Sequence, residues 1–167
     1  MKTQKPSGSA VSNLPDLERR YVIGQRLDAT SYRDATQRIV NWAQRGESRY
    51  VCVSNVHMVM EGRDATSFRA LVNESDLVTA DGVPLVWCPR ALGVASASRV
   101  YGPSLTLHAC EAAAVEGIPF ALYGGTEESL QRFVHFLERR FPMIDIVCAI
   151  APPFRSSDRK EDEAIGG

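Results

Sequence analysis

The chain has 167 residues, of which 44% are hydrophobic and 23% charged, and its formal net charge is -1. This length suits one sizeable core better than two independent ones. The near-balance of charge supplies no global field for nucleic acid or an anionic bilayer. No stretch approaches the roughly 20 consecutive apolar residues of a bilayer span. The lysines of the N-terminus are followed by no apolar signal core, so a cytoplasmic protein is expected.

The first 15 residues, rich in Ser, Gly, Pro and Asn, read as a disordered tail, with one domain expected over residues 16–167. Tyr21 to Gly24 and the residues after it suggest a short strand or hairpin. Thr30 or Ser31 can cap a first helix, with Asp34 at the capping-box position and Gly46 at its end. Ala35, Ile39, Trp42 and Ala43 form its apolar stripe. Tyr50 to Ser54 is a β-prone run with apolar residues on both faces, as in a parallel strand covered by helices. A helix over Val56 to Gly62 follows, then a second one capped by Asp64, then a strand over Asp76 to Thr79.

Pro84 to Leu92 reads as a helix with Pro in its first turn and Gly93 beyond its end. Pro103 opens another that runs to Gly117. Pro119 to Tyr123 is a strand, followed by Gly124 and Gly125, and Thr126 caps an amphipathic helix carrying Leu130, Phe133, Val134 and Leu137. Ile144 to Ile150 is the last clear strand, and the charged run Asp158 to Glu163 is a solvated helix face capped by Ser157. Strands alternating with helix-length segments predict an α/β fold, a Rossmann-like, mostly parallel sheet flanked by helices. Ligands in such sheets bind beyond the carboxyl ends of the strands. Three loops therefore matter: Ser54-Asn55, Ala80-Asp81-Gly82 and Gly124-Gly125.

Asp81 stands at a strand end before a helix, where a carboxylate can take a proton from an incoming hydroxyl; it can equally serve as a helix N-cap. Gly124-Gly125 could bring backbone amides to a phosphate or diphosphate, or simply make a tight turn, and the dinucleotide G-x-G-x-x-G spacing is absent. Arg99, in the loop before Pro103, could clamp a diphosphate bidentately or be merely solvated. Cys52, Cys88, Cys110 and Cys148 have no metal-site spacing and lie in apolar stretches, which suggests reduced core thiols. His57, His108 and His135 are dispersed, and His57 with Glu61 reads as a surface i,i+4 pair. There is no Asp-x-Asp metal motif, and the serine-hydrolase elbow G-x-S-x-G is missing.

Four ordered segments resemble one known family: Ser54 to Met60, Glu74 to Pro84, Arg99 to Pro103 and Leu122 to Gly125, followed by Phe141 to Phe154. The family is WecG/TagA/CpsF, also called glycosyltransferase family 26, which includes N-acetylmannosaminyltransferases. The resemblance implies inverting transfer of an N-acetylmannosamine-type sugar from a UDP-sugar donor. The implied acceptor is a polyprenyl-diphosphate-linked N-acetylglucosamine, in cell-surface polysaccharide assembly. It further implies Asp81 as base, Arg99 at the diphosphate, and Asn55, Gly124 and Gly125 in the nucleotide-sugar pocket. No cofactor and no metal are implied, nor any nucleic-acid partner. Peripheral contact at the inner face of the cytoplasmic membrane and a homo-oligomer are compatible with it.

Val53 stands where the family usually has a pocket Thr, and Ser104 where an acidic residue is common. Family members continue past the position of Gly167 to a motif that completes the site. The expectation is therefore a partial domain, incomplete at the C-terminus and of little or no transferase activity, and the alternative reading is a non-catalytic nucleotide-sugar-binding remnant.

Overall fold

The computed structural model describes residues 14–91, 93–94 and 97–153. The expected start of the tail and the charged run after Ser157 lie outside the described residues. In chain order the elements are β1 (Arg19–Val22), β2 (Gln25–Asp28), α1 (Tyr32–Arg45), β3 (Val51–Ser54), α2 (Val56–Asp64), α3 (Thr66–Glu74), β4 (Leu77–Ala80), α4 (Val83–Ala91), α5 (Gly102–Glu116), β5 (Phe120–Tyr123), α6 (Glu127–Arg140) and β6 (Ile146–Ile150). The α/β class is as expected. Among the described residues the strands pair in three two-stranded ladders: β1–β2 antiparallel, β3–β4 parallel and β5–β6 parallel. The chain divides into two compact units, residues 1–112 and 113–167.

In the first unit, β1 and β2 form a hairpin whose turn, Ile23-Gly24, has positive φ at both residues (52° and 80°). That is the two-residue turn whose twist matches an antiparallel pair. Ser31 caps α1 by accepting the Asp34 N–H at 3.2 Å. The Asp34 carboxylate is used otherwise than in a capping box. It accepts from Thr30 Oγ1 at 2.7 Å and from Arg38 Nε at 3.0 Å. At the far end, the Gly46 and Glu47 N–H groups close on the carbonyls of Ala43 and Trp42, which ends the helix as predicted.

The β3–β4 pair is covered on both faces, as its apolar sequence demands. Val51, Val53 and Leu77 pack with Ala35, Ile39 and Trp42 of α1, with Val100 and with Leu105 of α5. On the opposite side Cys52, Val78 and Ala80 pack with Leu27 of β2, Val59 of α2, Val72 of α3 and Leu85 and Val86 of α4. Period-two alternation divides the strand residues between these two clusters.

Two boundaries differ from the sequence expectation. Gly62 does not end α2, which continues to Asp64, and Asp64 does not cap α3; that position belongs to Ala65, which makes no side-chain cap bond. A Cβ at Gly62 would meet Gln25 Oε1 at 2.9 Å, so this glycine serves a close approach and not a stop. Asp64 instead pairs with neighbouring Arg63 at 2.7 Å, which holds its carboxyl below the ordinary range.

Strand β2 is the larger surprise, because Gln-Arg-Leu-Asp is buried at every position. The Arg26 guanidinium donates to Asn73 O at 2.7 Å, to Ser75 O and to Asp28 Oδ2 at 3.1 Å. That same carboxylate oxygen accepts the Val78 N–H at 2.7 Å, so β2 docks on β4 through side chains. Asp76, the first residue of the strand expected from sequence, closes the start of the β3–β4 ladder. Its N–H donates to Tyr50 O at 3.0 Å, and its carboxylate accepts the Tyr50 N–H at 3.0 Å and Arg49 Nη1 at 2.7 Å.

In the second unit, β5 and β6 pair in parallel with a register shift between Phe120 and Ala121, and α6 buries Leu130 and Leu137. Thr126 and Ser129 complete a reciprocal capping box at its start. The cysteines divide by environment: Cys110 is buried and Cys52 half-buried, whereas Cys88 and Cys148 are exposed, which corrects the core reading for those two.

Candidate active site

Parallel pairing aligns the carboxyl ends of β3 and β4, with Ser54 opposite Ala80. The ladder extends by one bond, from the Asp81 N–H to Ser54 O at 2.7 Å, which places Asp81 and Asn55 at adjacent strand exits. Asn55 caps α2, its Oδ1 accepting the Met58 N–H at 3.0 Å. The carboxamide NH₂ supplies further donors at an exposed position.

Asp81 is not the residue immediately before α4. Gly82 holds that place, at φ 151°, a backbone conformation that residues with a Cβ rarely adopt. The turn therefore leaves the Asp81 carboxylate out of the capping position. Its Oδ1 accepts from Arg99 Nη2 at 3.3 Å, with the Asp81 side chain 17% exposed and that of Arg99 50%.

Arg99 comes from a segment tied down on both sides. Ser98 Oγ donates to Thr30 O at 2.7 Å, the Val100 N–H to Ala80 O at 2.9 Å, and the Tyr101 N–H to Tyr32 Oη at 2.9 Å. Val100 is fully buried between two exposed neighbours, and the Arg99 guanidinium lies 4.9 Å from the centre of the Tyr101 ring. Val53 presents a methyl 3.5 Å from where a Cβ on Gly102 would sit. That side chain is engaged in packing beneath the start of α5.

The structure thus brings Asn55, Asp81 and Arg99 to one end of one strand pair. A carboxylate able to accept a proton lies against a guanidinium, whose five donors exceed what one carboxylate oxygen takes up. Such a pair suits a reaction that consumes a hydroxyl proton and releases a phosphate anion.

Gly124 and Gly125 lie in the second unit, at the carboxyl end of β5. The Gly124 N–H extends the β5–β6 ladder to Ile150 O at 2.9 Å. The φ values are 125° and 75°, and a Cβ on Gly125 would stand 2.8 Å from Ser129 Oγ. Gly125 thus has a packing reason to be glycine.

Sequence reasoning missed the support beneath the site. Ser54 and Gln25 are fully buried, and Gln25 Nε2 donates to Ser54 Oγ at 2.5 Å under the strand exit. Tyr32, which receives the Tyr101 N–H, packs against His108 with ring centroids 5.1 Å apart. No local sequence signal marks the Gln25–Ser54 pair, because the two residues are 29 apart in the chain. Among the described residues no three His, Cys, Asp or Glu side chains gather as a metal site, and no helix is long and apolar enough to cross a membrane.

The model of the glycosyl transferase WecG/TagA/CpsF family matches residues 20–166. A search of curated proteins gives no match to the chain.

Proposed function

The chain belongs to the WecG/TagA/CpsF family of glycosyltransferases, and on that premise we propose that it uses a UDP-activated N-acetylmannosamine-type donor and a lipid-diphosphate-linked N-acetylglucosamine acceptor. The observation that carries this reading is the Asp81–Arg99 pair at 3.3 Å, at the carboxyl ends of two parallel strands.

The proposed step is a single displacement. The acceptor hydroxyl oxygen forms a bond to the anomeric carbon while the bond from that carbon to the diphosphate oxygen breaks. UDP leaves with the electron pair, and the anomeric configuration inverts. Asp81 takes the hydroxyl proton as the oxygen attacks. Arg99 donates to the diphosphate oxygens as their charge develops, where fixed donors contribute most. Asn55, one strand away, donates to the donor substrate through its carboxamide. An acceptor of this kind would place the reaction at the inner face of the cytoplasmic membrane.

Transfer to a lipid-linked N-acetylglucosamine analogue, measured alongside UDP affinity by calorimetry, tests the assignment. Asp81→Asn should lower turnover by about 10²-fold or more, the range for a lost general base, with UDP affinity kept within about twofold. Undiminished turnover in Asp81→Asn would refute the base assignment. UDP binding without turnover in either protein would favour a nucleotide-sugar-binding role.

A further inference from the structure

The residues on either side of Val100 share a side of the chain. Val100 is fully buried and its N–H donates to Ala80 O, while its neighbours Arg99 and Tyr101 are both exposed. The Tyr101 ring is open to solvent, at 41% exposure. Its backbone is pinned through its N–H to Tyr32 Oη, and Ser98 is pinned to Thr30 O. The Arg99 guanidinium is held between two groups of this rigid frame: the Tyr101 ring at 4.9 Å and Asp81 Oδ1 at 3.3 Å.

We propose that Tyr101 is a positioning residue for Arg99, its ring serving as the shelf that presents the guanidinium to the donor's diphosphate. An arginine has four side-chain torsions, and a half-exposed one held only by a carboxylate would sample many orientations. The face of an aromatic ring attracts a guanidinium electrostatically without consuming its N–H donors. Stacking therefore orders the group while leaving donors available for phosphate oxygens. The attraction needs a ring and not a hydroxyl, so phenylalanine can replace tyrosine and leucine cannot. The proposal rests on the nucleotide-sugar reading above for its ligand, but not for the stacking itself.

Two measurements on the same proteins test it. In ¹⁵N-resolved NMR spectra the Arg99 Nε–Hε signal should be displaced by the ring current in the wild type and in Tyr101→Phe, and should move to its ordinary position in Tyr101→Leu. Calorimetry with UDP should show Tyr101→Leu binding about two- to fivefold more weakly, the equivalent of one exposed cation–π contact, and Tyr101→Phe binding as the wild type does. In an Arg99→Ala background Tyr101→Leu should change UDP affinity no further, because the ring acts only through the missing guanidinium. An Arg99 signal unaffected by any Tyr101 substitution overturns the proposal. So does a Tyr101→Leu loss that persists without Arg99, which would make the ring a direct ligand contact. Failure of the wild type to bind UDP removes the nucleotide-sugar reading, and the NMR comparison still decides the stacking.

Discussion

Replacing Arg26 by Met should cost the first unit a large part of its stability, although residue 26 touches none of the proposed catalytic groups. The Arg26 side chain is 7% exposed and that of Asp28 2%. Methionine would leave part-buried Asn73 O and buried Ser75 O without the guanidinium donor, and a buried group left unpaired costs about 1–3 kcal/mol. It would also remove the nearer and more buried of the two cations beside the Asp28 carboxylate. The retained Val78 N–H at 2.7 Å and Arg19 at 3.5 Å soften that loss. Removing one partner of a buried ion pair typically costs about 3–5 kcal/mol, comparable with the whole stability of a marginal domain at about 5–15 kcal/mol. With a urea slope of about 2 kcal/mol per molar, the midpoint should fall by about 1.5–2.5 M. The Arg26→Met/Asp28→Leu double variant should lose less than the sum of its single variants, since neither then leaves the other's charge buried alone. A midpoint shift under about 0.3 M for Arg26→Met, or strict additivity in the double variant, would refute the reasoning.

Asp76 supplies a pH test. Burial opposes its ionised form, but the Tyr50 N–H and the Arg49 guanidinium outweigh this and hold the carboxyl below its ordinary 3.8. A depressed folded-state value means stabilisation that is present above the unfolded value and is lost as pH falls through the folded one. The melting-temperature gap between wild type and Asp76→Asn should therefore be widest near neutrality and close below about pH 4; a gap that widens on acidification would contradict this. The four cysteines should titrate unequally with a thiol reagent at pH 8. Exposed Cys88 and Cys148 should react in the native protein, while Cys110, buried and pushed up to about 11, should react only on unfolding. Mass mapping of native-state labelling on Cys110 would overturn that assignment. Gly125→Ala should destabilise by about 1–3 kcal/mol through left-handed backbone strain, with added crowding against Ser129 Oγ 2.8 Å away. Chemical denaturation measures it, and a neutral result would show that the turn can relax.

Much of this molecule was legible in the chain itself because the signals are local. Ser31, Gly46 and Thr126 cap their helices because the groups they satisfy are at most four residues away. The apolar run from Val51 to Ser54 reads as a doubly covered strand because alternating side chains have to be buried on both sides. Parallel α/β topology then points to the loops at Asn55 and Asp81 before any contact is known.

Tertiary structure decided what depends on partners distant in sequence. Gln25-Arg26-Leu27-Asp28 reads only as part of a short strand or hairpin, and its burial is set by Asn73, Ser75 and Val78, which supply its hydrogen bonds. Gly62, the last residue of the helix expected from sequence, lies inside α2 with Gln25 packed against it. At Asp81 the fold sets the surroundings: Arg99, 18 residues on, lies against the carboxylate, and Gly82 takes the place before α4. A polar residue's burial is tolerable only where its partners complete its hydrogen bonds. Those partners are brought together by the fold and not by proximity along the chain.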